Sequence, residues 1–256
     1  MGATGLGMHM ELRALRPSDA GAVHQIAQRS LQTDYADILS DQAIEDAVGT
    51  WYDEGAVEEY CSGDEMMFVV ASIDDDVIGF CQSHVLDERA KGRILWLHVD
   101  PDHRGDGYGS DLLEGMIDQL HERGVAVVTA VVLAAHEAGV SFYEAHGFDR
   151  MGRRSIEIGG DPYEEVILRE SAAPDEPLER VELPDRDPFY LDYQETDRGS
   201  DGSFVAAYRD PDREHRYGWF CCACESVDTA MDTMGRITCT DCGNTRRPTR
   251  WDAAYL

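Results

Sequence analysis

Lysine is almost missing from this 256-residue chain: of its 22 basic residues only Lys91 is a lysine, against 51 aspartates and glutamates. The resulting net charge of −29 excludes a general affinity for nucleic acid or anionic membranes, because an acidic surface repels polyanions. In molar salt, where the Debye length is about 3 Å, the self-repulsion is largely screened, so the composition reads as halophilic. Also missing is an apolar run of 18 residues, so no segment is predicted to span a bilayer. Residues 1–10 are rich in glycine and lack both a basic n-region and an apolar h-region. No signal peptide is therefore expected, and the expected location is cytoplasmic. Internal repeats at solenoid periods are absent. Cysteine is scarce but crowded, with five of seven between Cys221 and Cys242, which suits a metal site in a reducing compartment better than a disulfide framework. Cys61 and Cys81 are expected to be buried bystanders.

The patterning alternates strands and helices. Residues 10–16 read as a strand, and Pro17-Ser18-Asp19 then opens a helix with apolar positions Val23, Ile26, Ala27 and Leu31. Ser40 and Asp41 cap a second helix through Ile44, Val48, Trp51 and Tyr52. Residues 66–73 and 77–85 form a hairpin about an Asp74-Asp75-Asp76 turn, and 93–99 is a further strand. Leu112, Leu113, Met116, Ile117 and Leu120 mark one buried helix face. Residues 125–133 are apolar enough for a central strand, 137–146 form a short helix ended by Gly147, and strands follow near 150–158 and 164–169. This predicts an α+β fold, a mixed and largely antiparallel central sheet flanked by helices.

Composition changes at Glu170. Pro174, Pro177, Pro184 and Pro188 fall among carboxylates, a linker composition with poor helix and sheet prospects. Aromatic residues then return at Phe189, Tyr190, Tyr193, Phe204 and Tyr208. The expected organisation is a disordered N-terminus over 1–9, a first domain over 10–170, an acidic proline-rich linker over 171–188 and a small C-terminal domain over 189–256.

Between the strand ending at Val99 and the helix with Leu112 lies Asp100-Pro101-Asp102-His103-Arg104-Gly105-Asp106-Gly107-Tyr108-Gly109. Such a loop turns backbone N–H groups and the positive end of a helix dipole toward one spot, an anion cradle. A Rossmann site needs G-x-G-x-x-G with a later acidic residue, and a P-loop needs Gly-Lys-Ser/Thr; neither is present. Arg104, Gly107 and Gly109, the preceding Val-Asp-Pro, the helix over 110–123 and Ser141-Phe142-Tyr143-Glu144-Ala145-His146-Gly147-Phe148 resemble the GNAT superfamily of acyl-CoA N-acyltransferases in order and spacing.

That resemblance implies acetyl-CoA as co-substrate. Leu97, His98 and Val99 would pair with the pantetheine arm, with an N–H near Val99 polarising the thioester carbonyl. Arg104, Gly105, Asp106, Gly107, Tyr108, Gly109 and Ser110 would cradle the pyrophosphate. Tyr143 would protonate the leaving thiolate. Two positions depart from the family. His136 stands where many members have Asn, and Arg93 where many have a base-relaying Glu. The general base is thus open among Asp87, Glu88, His84 and His98.

Cys221-x-x-Cys224 and Cys239-x-x-Cys242 are two knuckles that direct four thiolates at one tetrahedral ion, with Gly243 after the second pair and Gly235 at a hairpin tip. Structural Zn2+ is expected; a rubredoxin-like iron site uses the same ligands, and a redox dithiol is a further reading. Cys222 is the odd cysteine. This C-terminal unit resembles an uncharacterised extension of haloarchaeal proteins. Residues 200–256 carry nine acidic and seven basic residues, so the ribbon is far less acidic than the rest; Arg246, Arg247 and Arg250 with Trp251 are expected to pack on the acidic first domain, the other reading being a small contact patch for a partner. The expected activity is acetyl transfer to a primary amine of a small molecule or peptide, with no membrane or nucleic-acid partner. The competing class is a non-catalytic acyl-CoA-binding adaptor whose ribbon docks onto a protein or nucleic acid.

Overall fold

The computed structural model describes residues 10–86, 91–158, 160–171, 178–183, 186–233 and 235–246. The N-terminal segment, Asp87, Glu88, Pro174, Pro177, Pro184, Arg247, Arg250 and Trp251 lie outside the described residues. The chain divides into two compact units, one of 1–86, 92–128 and 157–161, the other of 87–91, 129–156 and 162–256. No helix among the described residues is long and apolar enough to cross a membrane.

In the first unit β1 (Met10–Ala14), β2 (Met66–Ile73), β3 (Asp76–Leu86) and, from Gly92 onward, β4 (Lys91–Val99) are neighbours in that order, with β1–β2 and β2–β3 antiparallel. The hairpin closes over two residues, not three: Ile73 pairs with Asp76, and Asp74 and Asp75 take φ of 51° and 72°. A two-residue hairpin turn of matching twist needs positive φ at both positions, which aspartate tolerates. α1 (Ala20–Asp34) buries Val23, Ile26, Ala27 and Leu31, and α2 (Asp41–Trp51) starts at Ser40, whose hydroxyl accepts the Ala43 N–H. α4 (Tyr108–Glu122) buries Leu112, Leu113, Met116 and Leu120, with Ile117 half-buried.

One helix is absent from the sequence reading. α3 (Glu54–Ser62) buries only Val57, too little for a periodic stripe, and is started by the Asp53 carboxylate accepting the Ala56 N–H at 2.7 Å. Cys61 sits on it half-buried, so only Cys81 of that pair is buried.

The turn from β1 into α1 is fastened by a buried ion pair. Arg13 donates to both oxygens of Asp19 at 2.7 and 2.9 Å, and the Arg16 N–H adds a third bond at 2.8 Å. Burial alone would raise the Asp19 carboxyl, but Arg13 and the Arg16 N–H outweigh it and hold the group below its ordinary value. A depressed carboxyl contributes stability above its unfolded value and loses it as pH falls through the folded one. Asp19→Ala leaves a buried arginine uncompensated, so we expect a loss of about 3–5 kcal/mol in denaturant unfolding at neutral pH. A loss below about 1 kcal/mol would place this pair with ordinary surface pairs.

The second unit holds β5 (Val127–Leu133) from Thr129 onward, α5 (Glu137–Ala145), β6 (Phe148–Ile158) and β7 (Asp161–Glu170), with β7 between β5 and β6. Gly147 follows α5 at φ 81°, the left-handed cap expected of it. A four-stranded sheet follows in the order β11-β10-β9-β8, from β8 (Glu179–Val181), β9 (Phe189–Arg198), β10 (Ser203–Tyr208) and β11 (Arg216–Cys221). β8 lies in the stretch read as poor sheet material; three residues are too few to show a period, yet Val181 is buried opposite Phe189. Met151 of β6 and Ile167 of β7 share one hydrophobic cluster with Val181, Phe189, Leu191 and Phe220. Last come three short antiparallel strands, β12 (Thr229–Met231), β13 (Ile237–Cys239) and β14 (Thr245–Arg246). The fold is α+β, with mixed, mostly antiparallel sheet, helices and additional C-terminal sheets.

Candidate functional site

β4 delivers the chain into a 3-10 turn over Pro101–His103, and the loop then opens α4. Gly105 and Gly107 take φ of 91° and 92°, a region that costs other residues strain. A Cβ on either would meet no atom within 4 Å, so the protein leaves open space in front of this loop. α2 and α3 have side-chain caps, whereas the N-cap of α4 is Gly107, which has no side chain to offer. The first bonds of the helix run from Ser110 and Asp111 to the Gly107 carbonyl. The N–H groups of Tyr108 and Gly109 therefore precede the intrahelical ladder, at the positive end of the helix dipole.

The loop is clamped from one side by α1. Arg104 donates to both Asp34 oxygens at 2.6 and 2.8 Å, to the Ser30 hydroxyl at 3.1 Å and to the Val99 carbonyl at 3.3 Å. Arg29 bonds Asp100 at 2.6 Å and Asp102 at 2.7 Å, and Asp100 also accepts the Asp102 N–H at 2.9 Å. The Arg104 guanidinium is thus directed at α1, and what the loop offers a ligand is its backbone. These partners are about seventy residues apart in sequence, and no local pattern announces them.

The candidate bases are spread out. His98 is buried, with Nδ1 3.0 Å from the Ser30 hydroxyl and its ring stacked on Trp96 at 5.4 Å. His84 lies half-exposed, 4.0 Å from Glu65. In the second unit Tyr143 is buried on α5, its ring edge-on to Phe142 and Phe148. His136 is the residue before α5. Its ring folds back over Gly139, where a Cβ would overlap Nδ1.

The four cysteines converge. Their sulfurs all lie within 4.8 Å of one another, with Cys221 and Cys242 at 3.7 Å and Cys224 and Cys239 at 3.5 Å. Tetrahedral Zn–S bonds of about 2.3 Å place sulfurs about 3.8 Å apart, so the donor set fits such an ion. Gly243 follows the second knuckle at φ 78°, and Glu225 takes φ 55° at the matching place in the first. Glu225 is bonded at 3.2 Å by Lys91, whose side chain is only 7% exposed. Asn244, fully buried, donates to Cys221 Sγ at 3.3 Å. Burial pushes the Cys221 thiol up to about 11. It opposes charge on Cys239 too, but there the N–H groups of Cys242 and Asp241 outweigh it and hold the thiol below its usual value. Cys222 is buried and stands apart from the four.

The acetyltransferase (GNAT) family matches residues 30–148. The [ribosomal protein bS18]-alanine N-acetyltransferase of Escherichia coli K12 is 39% identical over 85 residues, 33% of this chain and 55% of the relative. The chain thus spans about half the length of that relative. The enzyme of the same description from Salmonella typhimurium LT2 is 30% identical over 107 residues, 41% of this chain and 71% of the relative. The chain belongs to the GNAT acetyltransferase family. Its fold agrees with that of the PaiA N-acetyltransferase of Thermoplasma acidophilum, solved in complex with coenzyme A (TM-score 0.55, 23% identity, 64% of this chain and 99% of that one). Residues 185–256 match a family of unknown function, DUF5816, over the stretch that holds most of the additional C-terminal strands and the cysteine cluster. Within the GNAT match lie both the Gly105–Gly107 loop and Tyr143. The Ser30–Asp34 clamp, which sequence reasoning missed, sits at its start.

Proposed function

We propose that the chain is an acetyl-CoA-dependent N-acetyltransferase that passes the acetyl group to a primary amine by direct attack in a ternary complex, and that its four cysteines hold one structural zinc ion. The observation that carries the reading is the uncapped start of α4 behind two left-handed glycines, an anion cradle with open space before it. Acetyl-CoA supplies the activated thioester. Backbone groups of Arg104, Gly105, Asp106, Gly107, Tyr108, Gly109 and Ser110 hold its pyrophosphate, Leu97, His98 and Val99 pair with the pantetheine arm, and His136 adds a contact. The Val99 N–H polarises the carbonyl. Tyr143 donates its phenolic hydrogen to the departing sulfur. The likeness to bS18-alanine N-acetyltransferases supports a peptide or protein amine as acceptor. Four thiolates close the zinc shell, so the ion staples the C-terminal strands and takes no part in the transfer.

Turnover of acetyl-CoA against a panel of amines and peptides tests this reading. Tyr143→Phe should lower kcat by roughly 10²-fold, in the range of general acids, with acetyl-CoA affinity unchanged. An equal kcat would remove Tyr143 from the mechanism. Tight acetyl-CoA binding without turnover on any acceptor would favour the adaptor.

A further inference from the structure

The second unit gathers four arginines on one groove of about 350 Å3. β6 lines it with Arg150, Arg153 and Arg154, and Arg198 with the turn after it, residues 199–202, lines the facing side. In a chain with 22 basic residues and a net charge of −29, such a concentration runs against the composition.

The groove is built. Gly152 of β6 bridges Gly202 of the turn, and the Arg153 N–H donates to the Asp201 carbonyl at 2.9 Å. A Cβ on Gly202 would stand 3.0 Å from the Gly152 Cα and the Met151 carbonyl, so the approach leaves little room for a side chain. The buried Asn244 amide fixes the turn from behind, donating to the Gly202 carbonyl at 2.8 Å and accepting from the Asp201 N–H at 2.9 Å. That same amide touches Cys221 Sγ. One wall of the groove therefore stands on the cysteine cluster, and the other is β6, which begins where the GNAT match ends.

The four arginines are not equally committed. Arg150 donates twice to Glu144, at 2.6 and 3.0 Å, and Arg154 donates to the buried Glu165. Arg153 reaches Glu164 only at 3.6 Å, with both side chains more than half exposed. Arg198 is exposed and has no carboxylate partner among the described residues. Guanidinium groups favour carboxylate and phosphate. Glu164 and Asp201 also line the groove. They space the positive charge out, which suits separate single charges along a chain and disfavours one dense polyanion.

We propose that this groove binds an acidic peptide segment, with its carboxylates meeting Arg153 and Arg198, and that forming the groove is what the C-terminal domain adds to the acetyltransferase. The inference does not rest on acyl transfer, since binding is read with no acyl donor present. The probe is a fluorescein-labelled decapeptide rich in Asp and Glu, followed by anisotropy with the full-length protein at the lowest KCl concentration that keeps its native circular dichroism. The acidic peptide should bind at least tenfold tighter than its Asn/Gln counterpart. Combining Arg153→Glu with Arg198→Glu should weaken it by tenfold or more, while unfolding temperature and acetyl-CoA affinity stay unchanged. If that pair disturbs folding, Arg198→Gln alone, at an exposed position, should still weaken binding severalfold. Equal affinity for the acidic and neutral peptides would overturn the proposal, as would unchanged binding in the folded variants. Displacement of the peptide by an RNA oligonucleotide or inorganic phosphate at lower concentration than by unlabelled acidic peptide would assign the groove to phosphate instead.

Discussion

Replacing Gly107 with glutamate should cost the protein roughly 10² to 10³-fold in acetyl-CoA affinity and leave its fold in place. Two effects add. A non-glycine residue at φ 92° carries strain of order 1–3 kcal/mol, which pulls the loop away from the geometry of the proposed cradle, and the new carboxylate would stand where that cradle holds the pyrophosphate, a like-charge contact of several kcal/mol. Each 1.4 kcal/mol is tenfold in affinity. The fold survives because the added Cβ meets no protein atom within 4 Å. Calorimetry with acetyl-CoA reads the first claim and thermal unfolding the second. Unchanged affinity in a folded variant would place the cofactor elsewhere.

Removing the proposed zinc ion should have the other large effect. The strands β12, β13 and β14 hold three, three and two residues, far below what an isolated sheet needs to stand alone. Structural zinc contributes about 10–16 kcal/mol of apparent binding free energy in zinc-finger peptides at neutral pH. Cys239→Ser, or treatment with a strong chelator, should therefore abolish amide-exchange protection across 221–246. Through Asn244 it should also loosen the turn at 199–202, while protection in α4 persists. Metal analysis of the native protein should find one zinc per chain. Finding neither zinc nor iron, or the same exchange pattern in Cys239→Ser, would remove the ion from the account.

What the chain disclosed before its structure was its local chemistry. The α4 stripe, the Asp74 turn, the left-handed Gly147 and the two cysteine knuckles each depend on neighbours within a few residues, and periodicity or spacing reports such features directly. Contacts between distant segments left no local mark. Arg104 and Asp34 are ordinary charges until α1 and the loop meet, and nothing in the sequence singles out Asn244, whose amide lies between a thiol and the 199–202 turn. α3 and β8 escaped notice because one buried valine each, Val57 and Val181, is no pattern. The basic groove was hidden for a related reason. Arg150, Arg153 and Arg154 crowd together in sequence, but Arg198 lies 45 positions beyond Arg153, and nothing local shows that the two stretches meet.

The buried pairing of Lys91 with Glu225 has a chemical corollary. Thioesters acylate accessible amines without any catalyst, and exposed lysines are the usual victims. This chain presents one lysine in 256 residues, and that one is enclosed and held by a carboxylate. Its remaining fixed positive charge is arginine, whose guanidinium stays protonated and is no nucleophile at neutral pH. A protein proposed to work beside a reactive acyl donor thereby offers that donor no accessible lysine amine. Lysine-directed labels and cross-linkers should likewise spare Lys91 in the folded state and react there only after the Glu225 contact is broken.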